Sequence, residues 1–174
     1  MFDAQYNENV SHPLIVVPLS QLARAGGFGL GAERSYMAPV LFWIAHGQGR
    51  LSVDGELRGF TGHNAIFLPA NLSHGIEISP RCQGTAVFFA EKCMLPFPQQ
   101  QLHLRMQGVQ VQSEMNALIE DLRHESSSDS PDRDLMLFHR AALMLLWLAR
   151  QTGRPHVPSA QASDMLRAIA QPKR

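Results

Sequence analysis

From about His12 to Val111 the chain is written as a succession of short apolar runs, each cut off by a turn signal. The runs are Leu14-Ile15-Val16-Val17, Val40-Leu41-Phe42-Trp43-Ile44, Arg50-Leu51-Ser52-Val53, Glu56-Leu57-Arg58-Gly59-Phe60, Ala65-Ile66-Phe67-Leu68, Gly75-Ile76-Glu77-Ile78 and Thr85-Ala86-Val87-Phe88-Phe89. His46-Gly47-Gln48-Gly49 closes the second run. Asp54-Gly55 stands between two alternating segments, the strongest short-range hairpin signal. Short strands at nearly even spacing build an antiparallel sandwich or barrel. Several runs are apolar on both faces, so the expectation is a closed barrel with one face partly covered by something else.

The second zone has a different period. Met115, Leu118, Ile119 and Leu122 follow the i, i+3, i+4, i+7 stripe of an amphipathic helix, with Ser113 placed to cap it. Ser126 to Ser130 reads as a loop. Ser130 then caps a second helix with Pro131 at its first position and Asp132 and Asp134 in its first turn. That helix runs to about Gln151, where Gly153 and Pro155 stop it. From Ala141 to Ala149 it is apolar all round, so it must hide two faces. One can lie on the barrel or the first helix; the other is expected to face a second copy of the chain through Leu143, Leu146 and Trp147.

Composition narrows the class. The 174 residues suit one domain, or one with a small appendage, and can bury a core without disulfides or metal. Hydrophobic residues at 45% rule out a disordered chain, and charged residues at 17% are few for a surface wholly exposed to water, as expected if a partner covers part of it. Lys+Arg and Asp+Glu both number 15, which leaves none of the basic excess of a self-sufficient nucleic-acid binder. Cys82 and Cys93 are the sole cysteines and read as free thiols in a reducing compartment. The stretch Met1 to Asn9 is polar and lacks the apolar core of a signal peptide. The most apolar segment, Leu135 to Ala149, is broken by His139-Arg140 and is too short to span a bilayer. The expectation is a cytoplasmic protein with no membrane contact.

The segment from Ile44-Ala45-His46-Gly47, through the Asp54-Gly55 hairpin and Gly59-Phe60-Thr61-Gly62-His63-Asn64, to Pro69-Ala70-Asn71-Leu72-Ser73-His74 resembles the cupin barrel. More narrowly, it resembles the N-terminal sensing domain of AraC-type transcription regulators. The resemblance covers about residues 12–111, and the order of two helices and a linker matches as well. It implies a mainly β fold: a cupin-type antiparallel β-barrel (a double-stranded β-helix or jelly roll) followed by two C-terminal α-helices. It further implies an arm and barrel over 1–111, a helical dimerisation region over 112–153, and a linker over 154–174. That linker begins with Pro155, Pro158 and Ser159, and its short helical candidate Ser163 to Ile169 would lead towards a helix-turn-helix DNA-binding domain absent from this chain.

Metal-binding cupins take an H-x-H pair and a Glu from their first motif. Counted back from Gly47 these fall near Glu33, Ser35 and Val40, none of which matches. The second motif, P-x-G-x-x-H, stands here as Pro69-Ala70-Asn71-Leu72-Ser73-His74, with Asn71 able to take the left-handed turn conformation in place of Gly. His74 alone survives, too few donors for a transition metal unless His46 or His63 joined it, so no metal or cofactor is expected. His46 and His63 each sit against a Gly turn and read as exposed turn residues.

In such sensors a small-molecule effector sits inside the barrel among polar residues of the early strands and an aromatic platform. The candidates for that role are His74, Arg34, Tyr36, Trp43 and Phe88. The competing reading makes His74 a partly buried histidine with a backbone hydrogen bond, and Trp43 and Phe88 plain core. The glycine-rich run Gly26 to Gly31 would be a turn or lid near the barrel mouth. The sequence carries no G-x-S-x-G, P-loop, H-E-x-x-H or dinucleotide fingerprint, so no catalytic residue is assigned. The alternative function is a small metal-dependent cupin enzyme, a dioxygenase or isomerase.

Overall fold

The computed structural model describes residues 12–25 and 33–153. The expected arm before residue 12, the glycine-rich lid at 26–31 and the linker with its helical candidate at 154–174 lie outside these residues.

The apolar runs become strands where the sequence places them. In chain order the elements are β1 (Leu14–Pro18), α1 (Leu19–Ala25), β2 (Val40–His46), β3 (Gln48–Val53), β4 (Glu56–Thr61), β5 (Asn64–Leu68), β6 (His74–Ile78), β7 (Gln83–Phe89), β8 (Leu102–Arg105), α2 (Val109–Ser126) and α3 (Arg133–Gln151). A five-stranded sheet has the order β1-β7-β2-β5-β8, and a three-stranded sheet the order β4-β3-β6. Every strand pair is antiparallel.

The expected closed barrel does not form. Among the described residues no ladder joins the two sheets, and the fold is a jelly-roll sandwich. The runs that are apolar on both faces have a different cause. In β2, Val40, Phe42 and Ile44 point between the sheets and pack with Leu51, Val53, Phe60, Ile76 and Ile78. Leu41 and Trp43 point the other way and pack with Met115, Ile119, Leu122, Leu137, Met144 and Leu148 of the two long helices. β5 divides in the same way, Ile66 and Leu68 inward, Ala65 and Phe67 toward the helices. The period of two thus feeds two cores from one sheet. The covering layer is this chain's own α2 and α3.

Two local signals hold at the backbone level. Asp54 and Gly55 both have positive φ (50° and 81°), the requirement of a two-residue type I′ turn, and Val53 pairs with Glu56 across it. Asn71 sits at φ 63°, the left-handed conformation expected of it in place of Gly. Gly49 has a packing role: a Cβ there would lie 2.3 Å from the Phe60 ring and 2.2 Å from the Glu77 carbonyl oxygen.

The helices start elsewhere than their cap residues suggested. α2 begins after Gly108, so Ser113 is inside it and caps nothing. α3 begins after Asp132, with Ser130-Pro131 in the preceding turn, and ends at Gln151 as expected, before Gly153 at φ 66°. One face of α3 is buried through Leu137, Ala141, Met144, Leu145 and Leu148. Arg140, half of the polar break in the apolar run, reaches Asp121 (3.3 Å) and Glu125 (3.4 Å) of α2. The opposite face leaves Leu135, Met136, Leu143 and Leu146 in water. Among the described residues no helix is long and apolar enough to cross a membrane.

Candidate functional site

The turn at Asn71 delivers His74 to the first position of β6, opposite Val53 of β3. A second strand-like segment meets it there. Arg34 and His74 exchange backbone hydrogen bonds, Arg34 N–H to His74 O at 2.8 Å and His74 N–H to Arg34 O at 2.9 Å. Asn71 N–H donates to the Tyr36 carbonyl at 2.7 Å. The residues before β2 are thereby stitched onto the turn that carries His74. Tyr36 lies over the imidazole with ring centroids 5.3 Å apart, and its other neighbour is Phe88, edge-on at 5.5 Å. Phe88 meets Phe42 of the inter-sheet core, again edge-on, at 6.4 Å. His74, Tyr36, Phe88 and Phe42 form one continuous aromatic row from turn to core.

His74 is 2% exposed. Its Nδ1 lies 2.9 Å from the Leu72 carbonyl, an acceptor only, so Nδ1 carries the proton. Nε2 is then a lone-pair acceptor, and among the described residues it is buried without a hydrogen-bond partner. Burial lowers the pKa of this imidazole, the Leu72 hydrogen bond opposes that, and the Arg34 guanidinium lowers it further. The ring is a neutral acceptor held in a fixed orientation. Over Tyr36 and Phe88 a crevice of about 520 Å³ opens to the outside, walled by Ser35, Met37, Pro39 and Glu91.

Of the five ligand candidates, His74, Tyr36 and Phe88 share this row, and Arg34 joins through its backbone. Trp43 is elsewhere. It follows Phe42 by one residue and so faces the helices, where it is 1% exposed and its Nε1–H donates to Asn116 Oδ1 of α2 at 2.9 Å. Trp147 ties α3 to α2 by donating from Nε1 to Glu114 Oε2 at 3.0 Å, while Leu143 and Leu146 stay exposed. Phe42 belongs to the row and was missed by sequence reasoning, although its period-two relation to Val40 and Ile44 was readable.

Other histidines make their own contacts. His46 and His63 lie 5.6 Å apart, His63 in a turn at φ 61°, half-buried rather than exposed. His103 donates from Nε2–H to Asn64 Oδ1 at 2.8 Å, and burial, then Arg58, lowers its pKa. Among the described residues no group of three or more His, Cys, Asp or Glu is placed to hold a metal ion. Cys82 and Cys93 are free and buried in different cores, and burial pushes both thiols up, away from the reactive thiolate.

No family model matches the chain, and no curated protein matches it either. Solved structures do. An apo ToxT variant from Vibrio cholerae aligns over 93% of this chain and 67% of its own length, at 10% identity and a TM-score of 0.47. A putative glyoxylate induced protein from Pseudomonas aeruginosa aligns over 47% of this chain and 34% of its own, at 12% identity and a TM-score of 0.34. Acireductone dioxygenase from Bacillus anthracis, with a cadmium ion in its active center, aligns over 57% of this chain and 60% of its own, at 12% identity and a TM-score of 0.33. The chain therefore spans about a third of the glyoxylate induced protein and about two thirds of ToxT.

Proposed function

We propose that this chain is an effector-sensing domain of the kind found in AraC-type transcription regulators. It takes a small organic molecule at the His74 end of the sandwich and pairs with a second copy through α3. The observation that carries this reading is the buried Nε2 of His74, an acceptor without a partner among the described residues, on a ring that neighbours Tyr36, which in turn meets Phe88. A sandwich built only for stability gains nothing from a buried, unanswered acceptor, which costs about 1–3 kcal/mol. A guest that offers a hydroxyl or N–H and stacks on Tyr36 would repay that cost. Contact with DNA, in this reading, belongs to a helix-turn-helix domain, and the even balance of charge supports that division.

The test is a thermal-shift screen with sugars and aromatic acids, followed by elemental analysis of protein purified without chelators. A guest present at 100 times its Kd should add about 2.7 kcal/mol of stability, and His74→Ala should abolish the shift. Stoichiometric iron, manganese, nickel or zinc, with no organic guest, would overturn the proposal in favour of a metal-dependent cupin enzyme.

A further inference from the structure

On the helix side of the five-stranded sheet, a second opening lies between the end of β2 and α2. β2 and β7 pair without a break as far as Ile44 and Gly84; the register then shifts, and Ala45 is left without a partner on β7. A bulge of this kind disrupts the ladder and bends the strand. Ala45 and Gly84 on the sheet and Ala117 on α2 are too small to fill the space, and a cleft of about 570 Å³ remains. Its floor is Trp43 beside Thr85, cross-strand neighbours on β2 and β7. Its wall is the α2 stripe Ser113, Asn116, Ala117 and Glu120, spaced i, i+3, i+4, i+7 and running next to the buried stripe of Met115, Ile119 and Leu122.

Floor and wall carry unmet hydrogen-bonding groups. The Trp43 indole N–H can only donate, so the Asn116 amide turns Oδ1 to it at 2.9 Å and leaves Nδ2 for another acceptor. Among the described residues Nδ2 has no partner, and neither has the hydroxyl of Ser113 or of Thr85, although Thr85 is only 9% exposed. The one charged residue lining the cleft is Glu120, which Arg123 holds from the next turn of the helix.

We propose that this cleft is a second small-molecule site, one that takes neutral planar amides or lactams. The guest carbonyl accepts from Asn116 Nδ2–H and from the Thr85 hydroxyl, the guest N–H donates to Ser113 Oγ or Glu120, and the ring lies along Trp43. Charge selects against acids, since the lining holds a carboxylate and no cation. The site lies on the opposite face of β2 from the His74 row and does not depend on the reading of that row.

Titration of the full chain with benzamide, nicotinamide and uracil tests this, followed through the indole N–H signals in proton–nitrogen NMR. Trp147→Phe assigns the two indoles, and benzoate and nicotinate serve as charged controls of matched shape. The expected result is a saturable shift of the Trp43 signal with at least one of the three neutral probes, the acids binding about tenfold more weakly or not at all. Asn116→Asp keeps the acceptor for the indole and removes the donor, and should raise the Kd about tenfold; Thr85→Val should raise it about fivefold. Ser113→Ala, on the exposed wall, should weaken binding about threefold and serves if Thr85→Val does not fold. His74→Ala should leave the Kd unchanged. The proposal is overturned by the absence of a saturable shift up to about 10 mM of every neutral probe, by acids that bind as tightly, by an Asn116→Asp variant that binds as well as the wild type, or by loss of the shift in His74→Ala.

Discussion

His74 is held neutral by its surroundings, and that has a consequence for stability. Its pKa in the folded chain lies below the ordinary value near 6.5, chiefly through burial. As pH falls through that value the unfolded chain takes up a proton that the folded chain resists. Stability present at neutral pH is therefore lost on acidification, beginning near pH 6.5 and continuing down to the lowered folded value. His103, lowered by burial and by Arg58, adds a contribution of the same sign. The melting temperature should fall between about pH 7 and pH 5, and His74→Gln should flatten part of that fall in a scanning-fluorimetry series. An unchanged slope in the variant would show that His74 is not the group responsible.

At the scale of the element, α3 carries two kinds of leucine two residues apart. Leu145 is fully buried against the sheet and α2, and Leu143 is mostly exposed. Leu145→Ala should cost about 2–5 kcal/mol in urea denaturation. Leu143→Ala should change the stability of the isolated chain by less than about 0.5 kcal/mol while weakening self-association. The elements also mark what local signals could and could not reveal. The Asp54-Gly55 turn, the left-handed Asn71 and the stop at Gly153 were legible, because each depends on its own backbone. The start of α2 was not: Val109 to Gln112 offers no cap residue, and Ser113 drew attention by its chemistry alone. β8 passed unnoticed although Leu102-His103-Leu104-Arg105 alternates apolar and polar residues. The short α1 did too, where Leu19 and Leu22 are the buried pair. Trp43 shows the deeper limit. Alternation announces two faces for β2, but which of them looks toward the His74 row depends on where the second sheet and the helices settle.

For the molecule as a whole, the five-stranded sheet is a wall shared by two cores, one between the sheets and one under the helices. Neither core can open without exposing one side of β2, β5 and β7. Calorimetry should therefore record a single transition with equal calorimetric and van't Hoff enthalpies. Ile76→Ala, in one core, and Met144→Ala, in the other, should each lower that one transition rather than split it. Two separate transitions in either variant would mean that the cores melt independently.

β2 places Phe42 and Trp43 in neighbouring positions but on opposite sides of this wall, the first joining the aromatic row that leads to His74 and the second bonded to Asn116. Adding or removing one residue within the strand would exchange the two occupants, sending the indole among the rings of the sandwich and the phenyl to an amide it cannot satisfy. Side chains within β2 can be exchanged to reshape either compartment, but a change of its length by one residue would swap the two faces.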